Sequence, residues 1–307
     1  MKRVLVVGEI NVDLVLQGRG VFPTPGKEIL VDDFLTTLGS ASAICAMGLA
    51  RVGTPVAFMG KVGADAWGDY CLETMRSAGI DVSRVVREAG LKTGVTVSIT
   101  SPRDRALVSF LGATTALRGE DIPDGMLGGF DHLHVSSYFM QEGLRPACRN
   151  LFARAHRAGL STSLDPGFDP SERWEDDLVQ TLREVDVFLP NEVEVMGVAR
   201  CADIPEALRH LDNGRTRVVA KLGAQGCMTL EAGRVLQVAA YPVEPLDPTG
   251  AGDSFDAGFL HAWLGGLPLL ECLRWGSACG SLSTRGLGGT GRQADRAEVE
   301  RLVQSGS

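Results

Sequence analysis

Asp247-Pro248-Thr249-Gly250-Ala251-Gly252-Asp253-Ser254-Phe255 is the stretch whose reading decides the fold of this chain. The apolar run at 235–243 ahead of it is strand-like, and Ala257, Phe259, Leu260, Trp263 and Leu264 behind it repeat at helical spacing. A glycine-rich turn that opens a helix leaves backbone N–H groups unpaired at the positive end of the helix dipole, which favours phosphate oxygens. Two carboxylates, Asp247 and Asp253, bracket this anion site. An acid there would repel an anion that is merely stored. It makes chemical sense as a base toward a hydroxyl that attacks a phosphoryl group. A helix entry with a capping Asp is the plainer alternative, but two acids, two glycines and a threonine exceed what a cap needs.

Outward from that stretch, short apolar runs alternate with helical patterns. Strands are expected at 4–7, 56–59, 133–136, 161–164, 187–189 and 217–222. Helices are expected at 41–52, 66–78, 145–158, 192–198, 204–211, 250–264, 269–284 and 294–303. This β–α alternation predicts a mostly parallel sheet covered by helices on both faces, with ligands beyond the carboxyl ends of its strands. Asn11, Asp13, Asp165, Asn191 and Gly223 all fall at or just after such ends. Four runs (13–16 with 29–37, and 94–100 with 106–111) read as strands in two pairs with no helix inside either pair, and we take them as a small β lid. A one-faced sheet of that kind must cover its apolar side with substrate, core or another subunit.

Bulk composition narrows the function. The 307 residues carry a formal charge of −8 with 44% hydrophobic residues, enough for a large core and contrary to a nucleic-acid or membrane-surface partner. The seven cysteines are scattered without a CxxC pair, which argues for reduced thiols and a cytoplasmic setting rather than a zinc site or disulfide framework. Cys272 and Cys279 lie a heptad apart and read as small packing residues. No apolar run approaches the ~18 residues needed to cross a bilayer, and the short run after Met1 reads as a buried strand rather than a leader.

The chain resembles the PfkB (ribokinase-like) carbohydrate kinases along nearly its whole length. The strongest match runs from Asp247 through Asp253 to Phe259 and is highly specific for the family's C-terminal signature. Gly8-Glu9-Ile10-Asn11-Val12-Asp13 looks like the strand whose Asn and Asp hold sugar hydroxyls. Pro190-Asn191-Glu192-Val193-Glu194 looks like the N-x-x-E element near the Mg2+–phosphate site, and Lys221-Leu222-Gly223-Ala224-Gln225-Gly226 resembles the turn that carries the nucleotide. Gly63-Ala64-Asp65-Ala66-Trp67-Gly68 and Ala78-Gly79-Ile80-Asp81 also fit. The resemblance implies a three-layer α/β/α sandwich with a mostly parallel central sheet: one domain over 1–307, with a lid from about 12–37 and 93–112.

The resemblance also implies a function. It is ATP-dependent phosphorylation of a hydroxyl on a small sugar or polyol, an alcohol-group phosphotransferase reaction, by a homodimer paired through the lid. Asp253 would be the catalytic base, and the N–H groups of Gly250, Ala251 and Gly252 would bind the phosphoryl oxygens. Asn11, Asp13, Gly39, Ser40 and Ile44 would line the acceptor, and Asn191, Lys221, Gly223 and Gly226 the nucleotide. Glu194 would hold Mg2+ through water; Asp247 and Thr249, with the run at 284–290, would shape a site for K+. Two alternatives share the fold: a nucleoside kinase, and a non-catalytic ligand-sensing protein, against which the intact Asp253 and glycines speak.

Departures from the family pattern bear on the acceptor. Gly39-Ser40-Ala41-Ser42-Ala43-Ile44 replaces the usual G-G-x-x-x-N, so an apolar side chain stands where an amide commonly meets the sugar, and ribose is expected to be a poor substrate. The stretch 164–170 lacks the Asn and Arg that many hexose or keto-acid kinases place there. Arg103 and Arg105 flank Asp104 at a lid turn, readable as a solvated tip or as a clamp on an anionic acceptor. Gly286-Leu287-Gly288-Gly289-Thr290-Gly291 spells GxGxxG but follows a helix, not a strand, and is discounted as a dinucleotide site. The P-loop pattern is absent, and the five histidines show no metal spacing; His132 and His134 read as packing or edge residues.

Overall fold

Val4, Leu5, Val6 and Val7 are all completely buried because the strand they form is covered on both sides. The computed structural model describes residues 1–18, 23–100 and 105–305; Arg103 and Asp104, and with them the lid-tip expectation, lie outside the described residues. The chain runs β1 (Val4–Val7), β2 (Asn11–Gln17), β3 (Asp33–Gly39), α1 (Ala41–Arg51), β4 (Val56–Met59), β5 (Lys61–Gly63), α2 (Ala66–Ser77) and β6 (Val86–Glu88). It continues through β7 (Gly94–Thr100), β8 (Arg105–Phe110), β9 (His132–Val135), α3 (Cys148–Arg157), β10 (Ser161–Leu164), α4 (Asp177–Leu182) and β11 (Val187–Phe188). Then follow α5 (Glu192–Ala199), α6 (Ile204–His210), β12 (Arg217–Lys221), β13 (Cys227–Glu231), β14 (Arg234–Val238), α7 (Ala251–Leu264), α8 (Leu269–Ser283) and α9 (Arg296–Ser305).

The central sheet has eight strands in the order β14-β13-β12-β11-β10-β9-β1-β4. Its six strands from β12 to β4 pair in parallel, and β13 and β14 return antiparallel at one edge. Alternate residues feed two cores. Val4 and Val6 join α1, α2, α7, α8 and α9, while Leu5 and Val7 join α3, α4, α5 and α6. This is the three-layer α/β/α arrangement that the alternation predicts. Cys272 and Cys279 are buried on α8, facing α7 in the first core.

β9 carries an unusual load for a central strand. His132 and His134 are fully buried and face the same side as Val4 and Val6, beside Ser161 and Ser163 of β10. Ser161 gives its hydroxyl proton to the Asp131 carbonyl and therefore accepts from His132 Nδ1 at 2.9 Å. The remaining links follow in one direction: Ser163 donates to His132 Nε2, His134 Nδ1 donates to Ser163, and Ser136 donates to His134 Nε2, each at 2.7 Å. Both rings are thus neutral and fully partnered, and His132 also packs edge-on against Trp263. Burial holds both imidazoles below their ordinary range, that of His134 down to about 4.

The lid is a second sheet, β3-β2-β7-β8, in which β2 and β7 are parallel and both outer pairs antiparallel. Its register places Asn11, Asp13, Thr37, Gly39, Thr96 and Ser109 on one face, while Phe34, Val108 and Phe110 share the other. Helices are started by local caps: Asp65 accepts from Gly68 N–H ahead of α2, and Asp203 from Glu206 N–H ahead of α6. No helix among the described residues is long and apolar enough to cross a membrane.

Candidate active site

The carboxyl ends of β1, β9, β10, β11 and β12 deliver Glu9, Ser136, Asp165, Asn191 and Lys221 to one edge of the sheet, and α7 begins there. Gly250 precedes α7 at φ 74°, a left-handed conformation suited to glycine, and a Cβ there would press on Gly289. No side chain caps the helix. Ala251 N–H already donates to the Pro248 carbonyl at 3.2 Å, so it departs from the expected anion hole. The N–H groups of Gly250 and Gly252 have no acceptor among the described residues and remain available to an anion.

Asp253 lies in the first turn of α7, partly open to solvent. Its surroundings push its pKa up to about 7, through burial first and the Asp165 charge second, with Lys221 acting the other way. A carboxyl titrating near neutrality is matched to taking a proton from an alcohol.

Two strands of the lid supply a polar edge. Asn11 Nδ2 donates to Thr96 Oγ1 at 2.9 Å, and Thr96 in turn meets Ser109 Oγ at 3.0 Å. That fixes the amide, and its Oδ1 is buried without a partner. An orphaned buried acceptor costs ~1–3 kcal/mol unless a ligand donates to it. Asp13 stands beside it, with a pKa raised to about 7 by burial and then by Asp247. Gly39 must lack a side chain, because a Cβ there would collide with the Asp13 and Asn11 oxygens. These three residues stand together on one edge of the lid.

Ser40 and Ile44, expected at the acceptor, each make another contact in this structure. Ser40 takes φ 71° and donates its hydroxyl to the Glu9 carbonyl at 2.7 Å, which shows why glycine is the usual residue at this position. The α1 N-terminus is capped from outside instead, since the Glu9 carboxylate accepts from Ser42 N–H at 3.2 Å and Ser42 O–H at 2.7 Å. Ile44 is buried against Gly289 and Gly250 and supports the glycine loop from below. Gln293 bonds the Ile44 carbonyl at 2.8 Å and Ser254 Oγ at 3.1 Å, fastening α1 to α7.

Asn191 and Glu194 make a reciprocal cap at the start of α5. Glu194 N–H donates to Asn191 Oδ1 at 3.0 Å, Asn191 N–H to Glu194 Oε2 at 2.8 Å, and Asn191 Nδ2 to Glu194 Oε1 at 2.6 Å. Glu194 is buried rather than an ordinary exposed acid of a first helical turn, and burial with the Asp165 charge raises its pKa to about 7. A buried carboxylate among other acids is the donor type that a hydrated Mg2+ takes. Asp247 accepts from Thr249 N–H at 2.9 Å and Thr249 O–H at 2.7 Å on one oxygen, and from Gly288 N–H at 2.8 Å on the other. The geometry thus gives it the task of stapling the 284–290 loop to the entry of α7.

Lys221 departs most from expectation. Its ammonium is turned inward, 2.7 Å from Asp165 Oδ2 and 3.0 Å from Asp256 Oδ1, rather than outward to a nucleotide. Gly223 follows at φ 54° with open space around it, while Gly226 at φ 93° lets the chain pass close to the Val238 carbonyl. Asp256 and Glu9 were not foreseen. A charged residue at 256 among Phe255, Ala257, Phe259 and Leu260 is the available signal, because a buried acid on an apolar face demands a partner.

Known proteins resemble this chain over nearly its whole length. The profile of the pfkB family carbohydrate kinases matches residues 1–294. The chain belongs to that family. It is 25% identical to the ribokinase of Bacillus subtilis over 305 residues, covering 99% of this chain and 100% of that protein. It is 30% identical to a fructokinase of Klebsiella pneumoniae over 307 aligned positions, covering 93% of this chain and 94% of that one. Among solved structures, a candidate ribokinase II of E. coli, in complex with ATP and Mg2+, superposes with a TM-score of 0.88 at 22% identity, covering 99% and 100% of the two chains. PfkB membership makes the chain a kinase of the sugar and nucleoside type, and the ribokinase-like fold holds over its length.

Proposed function

We propose that this PfkB protein transfers the γ-phosphoryl group of ATP to a hydroxyl of a small sugar or polyol, with Asp253 as the base. The observation that carries this reading is one juxtaposition. Asp253 stands in the same turn as the free Gly252 N–H, within electrostatic reach of Asp13 on the lid edge that also bears the orphaned Asn11 Oδ1.

Asn11 Oδ1 and the Asp13 carboxylate accept hydrogen bonds from neighbouring acceptor hydroxyls and orient a third hydroxyl toward α7. Asp253 takes the proton of that hydroxyl as its oxygen forms the new bond to phosphorus and the bond to the departing ADP oxygen breaks. The N–H groups of Gly250 and Gly252 hold the transferring phosphoryl oxygens. Glu194 would hold, through water, a Mg2+ that accompanies the nucleotide and would supply charge neutralisation there. The open turn at Gly223 faces the nucleotide. K+ beside the 284–290 loop belongs to the same reading, as added positive charge near the anion hole. Two copies pair through the lid, covering the exposed Phe34, Val108 and Phe110.

A coupled assay of ADP release over sugars, polyols, sugar acids, sugar phosphates and nucleosides tests the acceptor class. A neutral sugar or polyol should give the highest kcat/KM. A nucleoside at the head of that ranking would replace this acceptor assignment.

A further inference from the structure

Lys221 is the only buried lysine or arginine among the described residues. Neither proton abstraction nor phosphate binding uses it directly. Its ammonium lies 2.7 Å from Asp165 Oδ2 and 3.0 and 3.1 Å from the two Asp256 oxygens, which joins the ends of β10 and β12 to the second turn of α7. The acidic side of this arrangement is crowded: Asp165, Asp253 and Asp256 each have an oxygen within 4.8 Å of the others. A metal could answer such a cluster, but the ammonium already bonds two of its three members. On the other side, a Cβ added to Gly252 would stand 3.4 Å from Lys221 Nζ, so the ammonium lies directly beneath the turn that opens toward phosphate.

Packing alone does not require this arrangement. Phe255, Ala257 and Phe259 already anchor α7 in the core, and a buried ion pair is often no more stabilising than apolar residues of the same volume. A cation among three close carboxylates changes something that packing cannot, namely how many of them stay anionic.

We propose that Lys221 is a positioning residue for phosphoryl transfer: clamped between Asp165 and Asp256, it fixes the first turns of α7 against β10 and β12 and supplies the positive charge beneath Gly252. This rests on the reading of Asp253 as the base. Groups that face Asp253 from the elements around it are Asp165 after β10, Lys221 on β12, Asp256 on α7, Glu194 on α5, Glu9 after β1, Asp13 on β2 and Cys45 on α1. Lys221 is the one cation among them, so its loss leaves Asp253 harder to ionise.

The experiment compares wild type, Lys221→Gln and Asp253→Asn as full chains, using ATP, Mg2+ and the best acceptor of the panel. Lys221→Gln should lower kcat by 10²–10³ (about the scale of one preorganised electrostatic group) while the acceptor KM changes less than about threefold. The acidic limb of its kcat/KM–pH profile should move up by about one pH unit or more. Where Lys221→Gln alone does not fold, Lys221→Gln/Asp256→Asn removes one acid with the cation; the two charges offset in the pH profile, so kcat is then the readout, and a near-wild-type kcat overturns the proposal. An unshifted limb and near-wild-type kcat, with Asp253→Asn inactive, overturns the role of Lys221 and leaves the base in place. An active Asp253→Asn overturns the base, and this proposal with it.

Discussion

Ser40 holds a left-handed φ of 71° while its hydroxyl donates to the Glu9 carbonyl at 2.7 Å, so its backbone strains it and its side chain fastens it. Such a conformation costs a non-glycine residue ~1–3 kcal/mol, and the hydrogen bond returns ~1 kcal/mol. Ser40→Gly removes both terms, whereas Ser40→Ala keeps the strain and loses the bond. Urea unfolding should therefore find Ser40→Gly more stable than Ser40→Ala by about 1–2 kcal/mol. The reverse order would mean that the backbone there is not strained.

Glu194 has two tasks that separate by substitution. Glu194→Gln keeps one acceptor for the Asn191 backbone N–H, loses the bond from Asn191 Nδ2 and removes the charge, and should raise the Mg2+ concentration for half-maximal turnover by about 10–100-fold, the usual effect of disturbing a group that orients metal-bound water. Glu194→Ala should add a loss of ~1 kcal/mol of stability, the cost of a missing cap. A magnesium titration of activity separates the two, and an unchanged requirement in Glu194→Gln removes the residue from the metal site.

His134 makes stability depend on acid in a direction set by its depressed pKa. The unfolded imidazole binds a proton near pH 6.5, whereas the buried one stays neutral down to about 4. Its contribution is complete above pH 6.5 and is lost as pH falls toward 4, by about 3 kcal/mol in all. Denaturant unfolding of wild type and His134→Gln at pH 7, 5.5 and 4 should show the variant losing less stability on acidification. Parallel losses would contradict a neutral His134.

The lid face bearing Phe34, Val108 and Phe110 leaves these residues 61%, 63% and 54% exposed. Light scattering at micromolar concentration should report a dimer for the wild type and a monomer for Val108→Glu/Phe110→Glu. A monomeric wild type would show that no second copy covers the face.

Local patterns were legible in the sequence and long-range pairings were not. The alternation of apolar runs predicts the parallel sheet, and the two pairs of adjacent β runs predict the lid strands to within a few residues at each end. β13 escaped because Cys227-Met228-Thr229-Leu230-Glu231 is short and weakly alternating, and α4 because six residues carry too little periodicity. The family motifs single out Asn11, Asp13 and Gly39 one stretch at a time, and only the strand pairing shows that they share one face. Lys221 could not be placed: its partners lie 56 and 35 residues away, and no spacing rule joins the end of one strand to the end of another or to a helix interior. The contact of Ile44 with Gly250 and Gly289 was not legible for a related reason, since those residues lie more than 200 positions away.

Turnover of Asp253→Asn tests the central claim most directly. With ATP, Mg2+ and the best acceptor, the variant should fold as the wild type does and bind nucleotide with similar affinity, while kcat falls by ~10²–10⁴. The wild-type kcat/KM should drop about tenfold per pH unit below about 7, where Asp253 takes up its proton, and the variant should lack that limb. A variant that folds, binds nucleotide and turns over within about threefold of wild type would contradict the assignment of Asp253 as the base.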